Sequence, residues 1–226
     1  MRRSRRLRLA VALLAVALAG WAGRARVLGA VGGALTVDDP ITPVAVMVAS
    51  LAAIRADALE VARLHREGVA PRIVLCRWQD EPLDAEMRRL QVPSLPPHEL
   101  AAAILHRSGV PAEAVEVLDG AIDGLNTEIA AVAEYARKAR PASLLYVTAR
   151  SHTRRARWLL RRLLPPDTEL RVRAPARDPF DPTTWWHSRD GSREVAMEYL
   201  RWANTFGLRD LWGGSQTPPR VAEAQR

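Results

Sequence analysis

Short runs rich in apolar residues alternate with stretches of helical periodicity between residues 38 and 206. Such runs predict buried strands, and they cover residues 44–49, 72–76, 114–118, 143–147 and 169–173. Apolar positions repeating every three to four residues predict helices over 51–67, 81–90, 98–108, 127–140, 148–164 and 193–206. Strand, helix and strand in succession imply a right-handed crossover and parallel pairing. The pattern therefore predicts an α/β domain.

The helix predicted after the fourth strand can be oriented from its sequence. Its apolar stripe follows positions i, i+3, i+4, i+7 and i+8, which are Ala156, Leu159, Leu160, Leu163 and Leu164. His152 and Arg155 lie on the line of that stripe, so we expect them to face the sheet end or a cleft. Four arginines lie mainly off it and should be solvated: Arg154, Arg157, Arg161 and Arg162. His152 is then either a hydrogen-bonded helix-start residue or a functional imidazole, and Arg155 either pairs with a buried carboxylate or binds an anion.

The junction between the fourth strand and this helix carries the densest candidate chemistry. Thr148, Arg150 and His152 lie where a buried strand passes into a helix N-terminus. Backbone N–H groups are free at such a terminus, and the helix dipole favours anions. Ligands of open α/β sheets also bind at the carboxyl ends of strands. A second helix start, with Asn126 as the expected N-cap and Thr127 beside it, is explained by capping alone, or it shares an anionic ligand with His152.

The N-terminal 23 residues have the pattern of an export signal. Five arginines within residues 1–8 precede an uninterrupted apolar run over 9–23, which predicts a cytoplasmic N-terminus and a domain outside. Fifteen residues are short for a full span, and Ala17-Leu18-Ala19 resembles a cleavage site. Apolar character continues over 27–37 and favours a retained anchor. Two outcomes stay open, a single-pass inner-membrane protein and a protein exported after cleavage.

Charge and cysteine content exclude several classes of protein. Residues 1–26 hold seven arginines and no acid, which leaves only +1 of the net +8 for the rest of the chain. A nearly neutral domain lacks the electrostatic footprint of a nucleic-acid binder. Cys76 is the only cysteine, so no internal disulfide forms, and we expect a small buried hydrophobe rather than a nucleophile. The chain has no Walker, CxxC, HExxH or GxSxG motif, and no metal-ligand spacing accompanies His152.

Three sequence features resemble the ElyC/SanA/YdcF family, whose common domain is domain of unknown function 218. Residues 147–156 resemble its VT…H..RA signature, and Asn126-Thr127 resembles its NT motif. Its W…R…E..K pattern is matched, with arginine in the lysine place, by Trp185-Trp186, Arg193, Glu198 and Arg201. The resemblance spans about residues 38–206. It implies a three-layer αβα Rossmann-like sandwich with a mainly parallel sheet, in an envelope protein tethered by an N-terminal membrane segment.

The resemblance also nominates site residues. His152 is the candidate general acid or base, and Glu198 is a second catalytic candidate that the helical pattern alone places toward solvent. The candidate ligand-binding residues are Ser50, Asn126, Thr127, Thr148, Arg150 and Arg155. Ala49-Ser50 stands where the family has a Gly-rich turn, so the chain lacks the close backbone approach of the usual phosphate cradle.

Three functions follow from these features. The first is a bacterial envelope protein in cell-wall or envelope biogenesis that binds an anionic, phosphate-bearing small molecule or a lipid-linked intermediate. The second is a module for a nucleotide or S-adenosylmethionine, which the missing GxGxxG turn weakens. The third is a non-catalytic envelope scaffold. The sequence identifies no cofactor and does not decide whether the protein is an enzyme.

The segment Trp185-Trp186-His187 predicts a lid, a hydrophobic plug or a membrane-facing surface. We expect three parts, a basic and apolar segment over 1–37, the α/β domain over 38–210 and a disordered tail over 211–226.

Overall fold

A parallel five-stranded sheet with the order β3-β2-β1-β4-β5 forms the centre of the protein. The computed structural model describes residues 20–21, 23–79, 83–92 and 95–206. The strands are β1 (Val46–Ala49), β2 (Ile73–Trp78), β3 (Val115–Ile122), β4 (Ser143–Val147) and β5 (Glu169–Arg173). The helices are α1, described over 23–33, then α2 (Ile54–Arg66), α3 (Asp84–Arg89), α4 (Pro97–Arg107), α5 (Leu125–Ala139), α6 (Thr153–Leu163) and α7 (Arg189–Thr205).

The strand order has the Rossmann-like arrangement, so the expected α/β fold is confirmed. β1 lies at the centre of the sheet. The chain first adds β2 and β3 on one side of β1 and then crosses over to add β4 and β5 on the other side. Right-handed crossovers then place α2 and α4 on one face of the sheet and α5 and α6 on the other. The contacts agree, because α2 packs against α4 and α5 packs against α6. The gap between the carboxyl ends of β1 and β4 is the topological switch point.

Burial explains why the central strands form where the sequence predicts them. Every residue of β1 is buried, as are the first four residues of β2 and the last four of β4. A parallel strand covered by helices on both faces needs such a continuous apolar run. β4 and β5 have the predicted bounds. β3 runs to Ile122, four residues beyond the prediction, because Ile122 pairs with Trp78 after an irregularity in β2.

Two predicted helix starts are wrong. Gly124, not Asn126, is the N-cap of α5, and the Thr127 hydroxyl at the third helical position accepts a hydrogen bond from the Gly124 N–H at 3.2 Å. α7 begins at Arg189 rather than Arg193, because the Ser188 hydroxyl accepts a hydrogen bond from the Gly191 N–H at 2.9 Å. Each helix therefore begins before the predicted residue, and only α7 among the two has a side-chain cap.

The chain before residue 38 packs against the domain. Leu35 is 1% exposed and forms a small second core with Phe180 and Val195. The Trp185 indole donates to the Leu28 carbonyl at 2.8 Å, and the Tyr199 hydroxyl donates to the Val31 carbonyl at 2.8 Å. Helix α1 is thereby fixed to α7 and to the short turn Trp185–His187 that precedes it.

The outer edge of β5 is covered by the segment that follows α1. The Asp39 N–H donates to the Val172 carbonyl at 3.0 Å, and the Val172 N–H donates to the Asp39 carboxylate at 2.9 Å. Arg157 forms an ion pair with the same carboxylate at 2.8 Å. One residue thus satisfies both outward-facing backbone groups at the middle of the edge strand.

No helix in the described part of the chain has both the length and the apolar character needed to cross a bilayer. The membrane segment predicted over 9–23 lies almost wholly outside the described residues, and the tail predicted over 211–226 lies entirely outside them.

Candidate functional site

A cleft of about 700 Å³ opens at the carboxyl ends of β1 and β4. The loop after β1, the turn before α6, the 178–188 segment and the start of α7 form its walls. Its polar lining includes Ser151, His152, Asp178, Asp190, Glu194 and Arg201. Parallel strands end together at this edge, so the topology brings together side chains that are more than 100 residues apart in the sequence.

His152 is held by carboxylates from α7. Its Nε2 lies 3.0 Å from Glu194 Oε1 and 3.5 Å from Glu198 Oε2. The Ser151 hydroxyl also donates to Glu194, at 2.8 Å. The hydrogen bond from His152 is the main cause that lowers the pKa of Glu194 to about 2. Glu194 is therefore ionised near neutral pH and fixes the imidazole ring against α7.

A buried ion pair lies behind this imidazole. Arg155 Nε donates to Glu198 Oε1 at 2.5 Å and Arg155 Nη2 donates to Glu198 Oε2 at 3.1 Å. The Glu198 side chain is fully buried, which contradicts the solvent-facing position predicted from the helical pattern. Arg155 Nη1 further donates to the Asn126 amide oxygen at 3.3 Å. This bidentate pair occupies Arg155, so Arg155 and Asn126 position the site from within instead of lining the cleft.

Arg201 extends the network to the surface of the cleft. Its Nη1 lies 3.3 Å from His152 Nε2 and 3.4 Å from Glu198 Oε2. The Arg201 side chain is 41% exposed. Among the described residues that line the cleft, Arg201 is the only arginine, and it stands among four carboxylates, those of Asp178, Asp181, Asp190 and Glu194.

The expectation of free N–H groups at the junction between β4 and α6 is wrong for three donors. The Arg150 N–H donates to the Asp178 carboxylate at 2.8 Å. The His152 N–H donates to the Ala149 carbonyl, and the Arg154 N–H donates to the Leu35 carbonyl. The protein's own groups thus occupy much of the helix terminus that we expected to cradle an anion. The Arg150 guanidinium reaches the Pro175 carbonyl at 3.4 Å.

The second helix start is also occupied by its own contacts. The Thr127 hydroxyl donates to the Asp123 carboxylate at 2.7 Å and accepts from the Gly124 N–H at 3.2 Å. Neither Asn126 nor Thr127 lines the cleft. The structure therefore supports capping for Thr127 and a contact to Arg155 for Asn126.

Buried carboxyl groups lie beneath the loop after β1. Ser50 and Thr148 are fully buried, and the Ser50 hydroxyl donates to Glu128 Oε2 at 3.1 Å. Burial raises the pKa of Glu128 to about 7. Burial also raises the pKa of Asp57 well above its usual range, although the Ala53 N–H donates to its carboxylate at 2.9 Å. Ser50 and Thr148 thus belong to a protected interior layer under the cleft.

The Trp185–His187 turn combines packing with a place in the cleft wall. Trp185 and His187 line the cleft, and the Trp185 indole is also bound to α1. Of the three expected roles, the contacts of Trp185 match a plug between α1 and the cleft.

Cys76 is fully buried, and burial raises the pKa of its thiol, so the expected buried hydrophobe is confirmed.

Sequence reasoning missed Glu194, which holds His152. A signal existed, because Glu194 and Glu198 are four residues apart and therefore lie on one face of α7 with Arg201. Asp178 left no comparable signal, since it caps a turn 28 residues away in the sequence.

No group of three or more His, Cys, Asp or Glu side chains in the described ranges is arranged to hold a metal ion. Comparison with known proteins gives no match to a family model, to a curated protein or to a solved structure. The resemblance to the ElyC/SanA/YdcF family stays a prediction, and the fold and the cleft are what the chain itself establishes.

Proposed function

We propose that this protein is a bacterial envelope protein whose cleft binds an anionic, phosphate-bearing ligand, either a small molecule or a lipid-linked envelope intermediate. The observation that carries the proposal is the placing of Arg201 beside His152 in a cleft at the strand switch point. A guanidinium with exposed donors can take a phosphate in bidentate fashion. The adjacent imidazole is the candidate acid or base beside that group.

The buried groups behind the cleft support this assignment by fixing its geometry. Glu198 binds Arg155 on one side and approaches Arg201 on the other, at 3.4 Å. Glu194 holds the imidazole of His152 at 3.0 Å. If the protein is an enzyme, His152 is the acid or base and Glu194 is its orienting carboxylate.

We further propose that residues 9–23 hold the chain at the inner membrane with the domain outside, the alternative being export after cleavage. The support is the arginine-rich N-terminus followed by the apolar run. A lipid-linked ligand would be within reach of a domain so tethered.

A thermal-shift screen of the full chain in detergent micelles tests the ligand proposal. The panel holds inorganic phosphate, nucleotides, sugar nucleotides and a prenyl phosphate, against the parent, His152→Ala and Arg201→Ala. A phosphate compound at 100 times its dissociation constant should stabilise the parent by about 2.7 kcal/mol. Lys138→Ala is the control, because it removes one positive charge from an exposed position on α5, away from the cleft.

Stabilisation of the parent and of Lys138→Ala, with loss in both cleft variants, is the expected result. A second candidate function, the non-catalytic scaffold, is favoured by the closed network around Glu198, which satisfies Arg155 without a ligand. No stabilisation by any panel member, together with early melting of His152→Ala, would replace the ligand proposal with the scaffold.

A further inference from the structure

Trp158 lies on the side of α6 that faces away from the sheet, where it is half-buried. The buried side of that helix is formed by Arg155, Ala156 and Leu160. A helix turns 100° per residue, so Trp158 projects to the opposite side, with Arg154, Arg161 and Arg162 around it. A large aromatic residue at that position is not needed to cover the sheet.

Two aromatic side chains from the end of α7 pack on Trp158. The Trp158 ring centroid lies 5.9 Å from that of Trp202 and 5.2 Å from that of Phe206. Trp202 and Phe206 stack at 5.4 Å. Phe206 is 64% exposed. Trp158 and Trp202 are half-buried and Phe206 is exposed, so the cluster of these three residues is a partly exposed aromatic surface at the edge of the second core.

Positive charge surrounds this cluster. The Arg162 guanidinium lies over the Trp158 ring at 4.4 Å from its centroid. Within the described part of the chain no carboxylate pairs with Arg154, Arg161 or Arg162, whereas Arg157 pairs with Asp39. We name the three aromatic residues with these three arginines the α6–α7 basic–aromatic face.

The face adjoins the part of the chain that leads to the N-terminal apolar run. Trp202 packs against the second core beside Val31 of α1, and Arg154 donates to the Thr36 carbonyl at 2.9 Å. The chain continues from α1 toward the apolar run over 9–23 and the five arginines before it. Helix α1 thus connects the face to the segment proposed to enter the membrane.

We propose that the α6–α7 basic–aromatic face rests on an anionic bilayer surface. Tryptophan and arginine are the side chains that suit this region, because indoles sit at the headgroup level and cations are attracted to anionic lipids. The cluster supplies apolar area for shallow insertion and the three arginines supply the charge. This proposal goes beyond the cleft, because none of the residues in the face lines it.

Depth-dependent quenching on the full chain tests the proposal. Arg161→Cys carries an environment-sensitive fluorophore, and Lys138→Cys on α5 is the matched control, since the Lys138 side chain is 76% exposed. Cys76 is buried and stays unlabelled. Both proteins are reconstituted into nanodiscs of phosphatidylcholine with or without phosphatidylglycerol, and headgroup-region spin-labelled lipid is the quencher.

The expected result is strong quenching at position 161 in phosphatidylglycerol nanodiscs and little at position 138. Each arginine contributes about fivefold to association with an anionic surface. Arg154→Glu with Arg162→Glu should therefore lower the equilibrium constant for docking, measured from the quenching at position 161, by an order of magnitude or more. Equal quenching at both positions, an unquenched label at 161, or no effect of the charge reversal overturns the proposal. A blue shift at 161 without lipid quenching also overturns it and assigns the face to a second copy or to residues 207–226.

Discussion

Replacing Gly32 by alanine should detach helix α1 from the wall of the cleft. A Cβ at this position would lie 2.4 Å from the Pro182 carbonyl oxygen and 2.6 Å from Trp185 Cδ1, where ordinary contacts begin at 3.4 Å. The Pro182 atom belongs to the backbone, so rotating a side chain does not relieve the overlap. Helix α1 must instead move outward by about 1 Å, which is the deficit in the two contacts.

The cost of that movement can be worked out from the contacts it breaks. The hydrogen bonds from Trp185 to Leu28 and from Tyr199 to Val31 are both 2.8 Å long. Losing them costs about 1 kcal/mol each, overpacking adds about 1 kcal/mol or more, and the better helix propensity of alanine returns up to about 1 kcal/mol. The net destabilisation is about 2 kcal/mol, which lowers the melting temperature of a chain of this size by about 4–8 °C.

Thermal unfolding of the full chain in detergent measures this effect, and Gly29→Ala provides the control. A Cβ at Gly29 meets no atom within 4 Å, although the residue lies in the same helix. Gly29→Ala should therefore melt at or above the parent temperature, because only the propensity gain remains. If Gly32→Ala melts with the parent, α1 is not docked against Pro182 and Trp185. Faster amide exchange over 28–35 in Gly32→Ala alone would link the loss to this contact.

Three further predictions concern buried groups. Glu198→Ala should lower the free energy of unfolding, measured in urea, by about 3–5 kcal/mol, because it leaves the buried Arg155 without its partner. The double variant Arg155→Met with Glu198→Leu should recover most of that loss. Equal losses in the two proteins would contradict the reasoning. Glu128→Gln should become more stable relative to the parent as the pH rises from 4.5 to about 7. The folded pKa of Glu128 is raised above its ordinary 4.5, so the parent loses stability over that window and the variant does not, and a pH-independent difference would count against it. The Cys76 thiol should react with a disulfide reagent only as fast as the chain opens, since burial raises its pKa, and rapid stoichiometric labelling of the native protein would contradict its position.

The sheet could be predicted from sequence because its central strands are buried on both faces. β1 and β4 are apolar at nearly every position, a pattern that few other elements share. The orientation of α6 followed from the same logic. His152 and Arg155 lie on the apolar line of the helix and prove to be largely buried. In both cases the apolar pattern of a short segment indicates whether that segment is buried.

The network around His152 could not be predicted in the same way because its partners are distant in sequence. Glu198 is 43 residues from Arg155, and the apolar stripe of α7 gives no reason to bury a carboxylate. The same holds for Asp178, which occupies the N–H of Arg150 from a loop without regular structure. The position of a helix cap also depends on the exact path of the chain. The N-cap of α5 is therefore Gly124, although asparagine at position 126 is the more favourable N-cap residue type. The partner that a buried polar group finds depends on the tertiary structure, and the periodicity of the sequence carries no information about that partner.

Asp39 gives the sheet a protection against self-association. An unpaired edge strand is a template for adding a strand from another chain, which leads to aggregation. At the middle of β5 both backbone groups of Val172 are already bonded to Asp39, so an incoming strand would have to displace that residue first. The protecting residue lies in the link between α1 and the domain. Proteolysis in that link would therefore do more than release the domain from its N-terminal segment, because it would loosen Asp39 and expose a sheet edge able to polymerise.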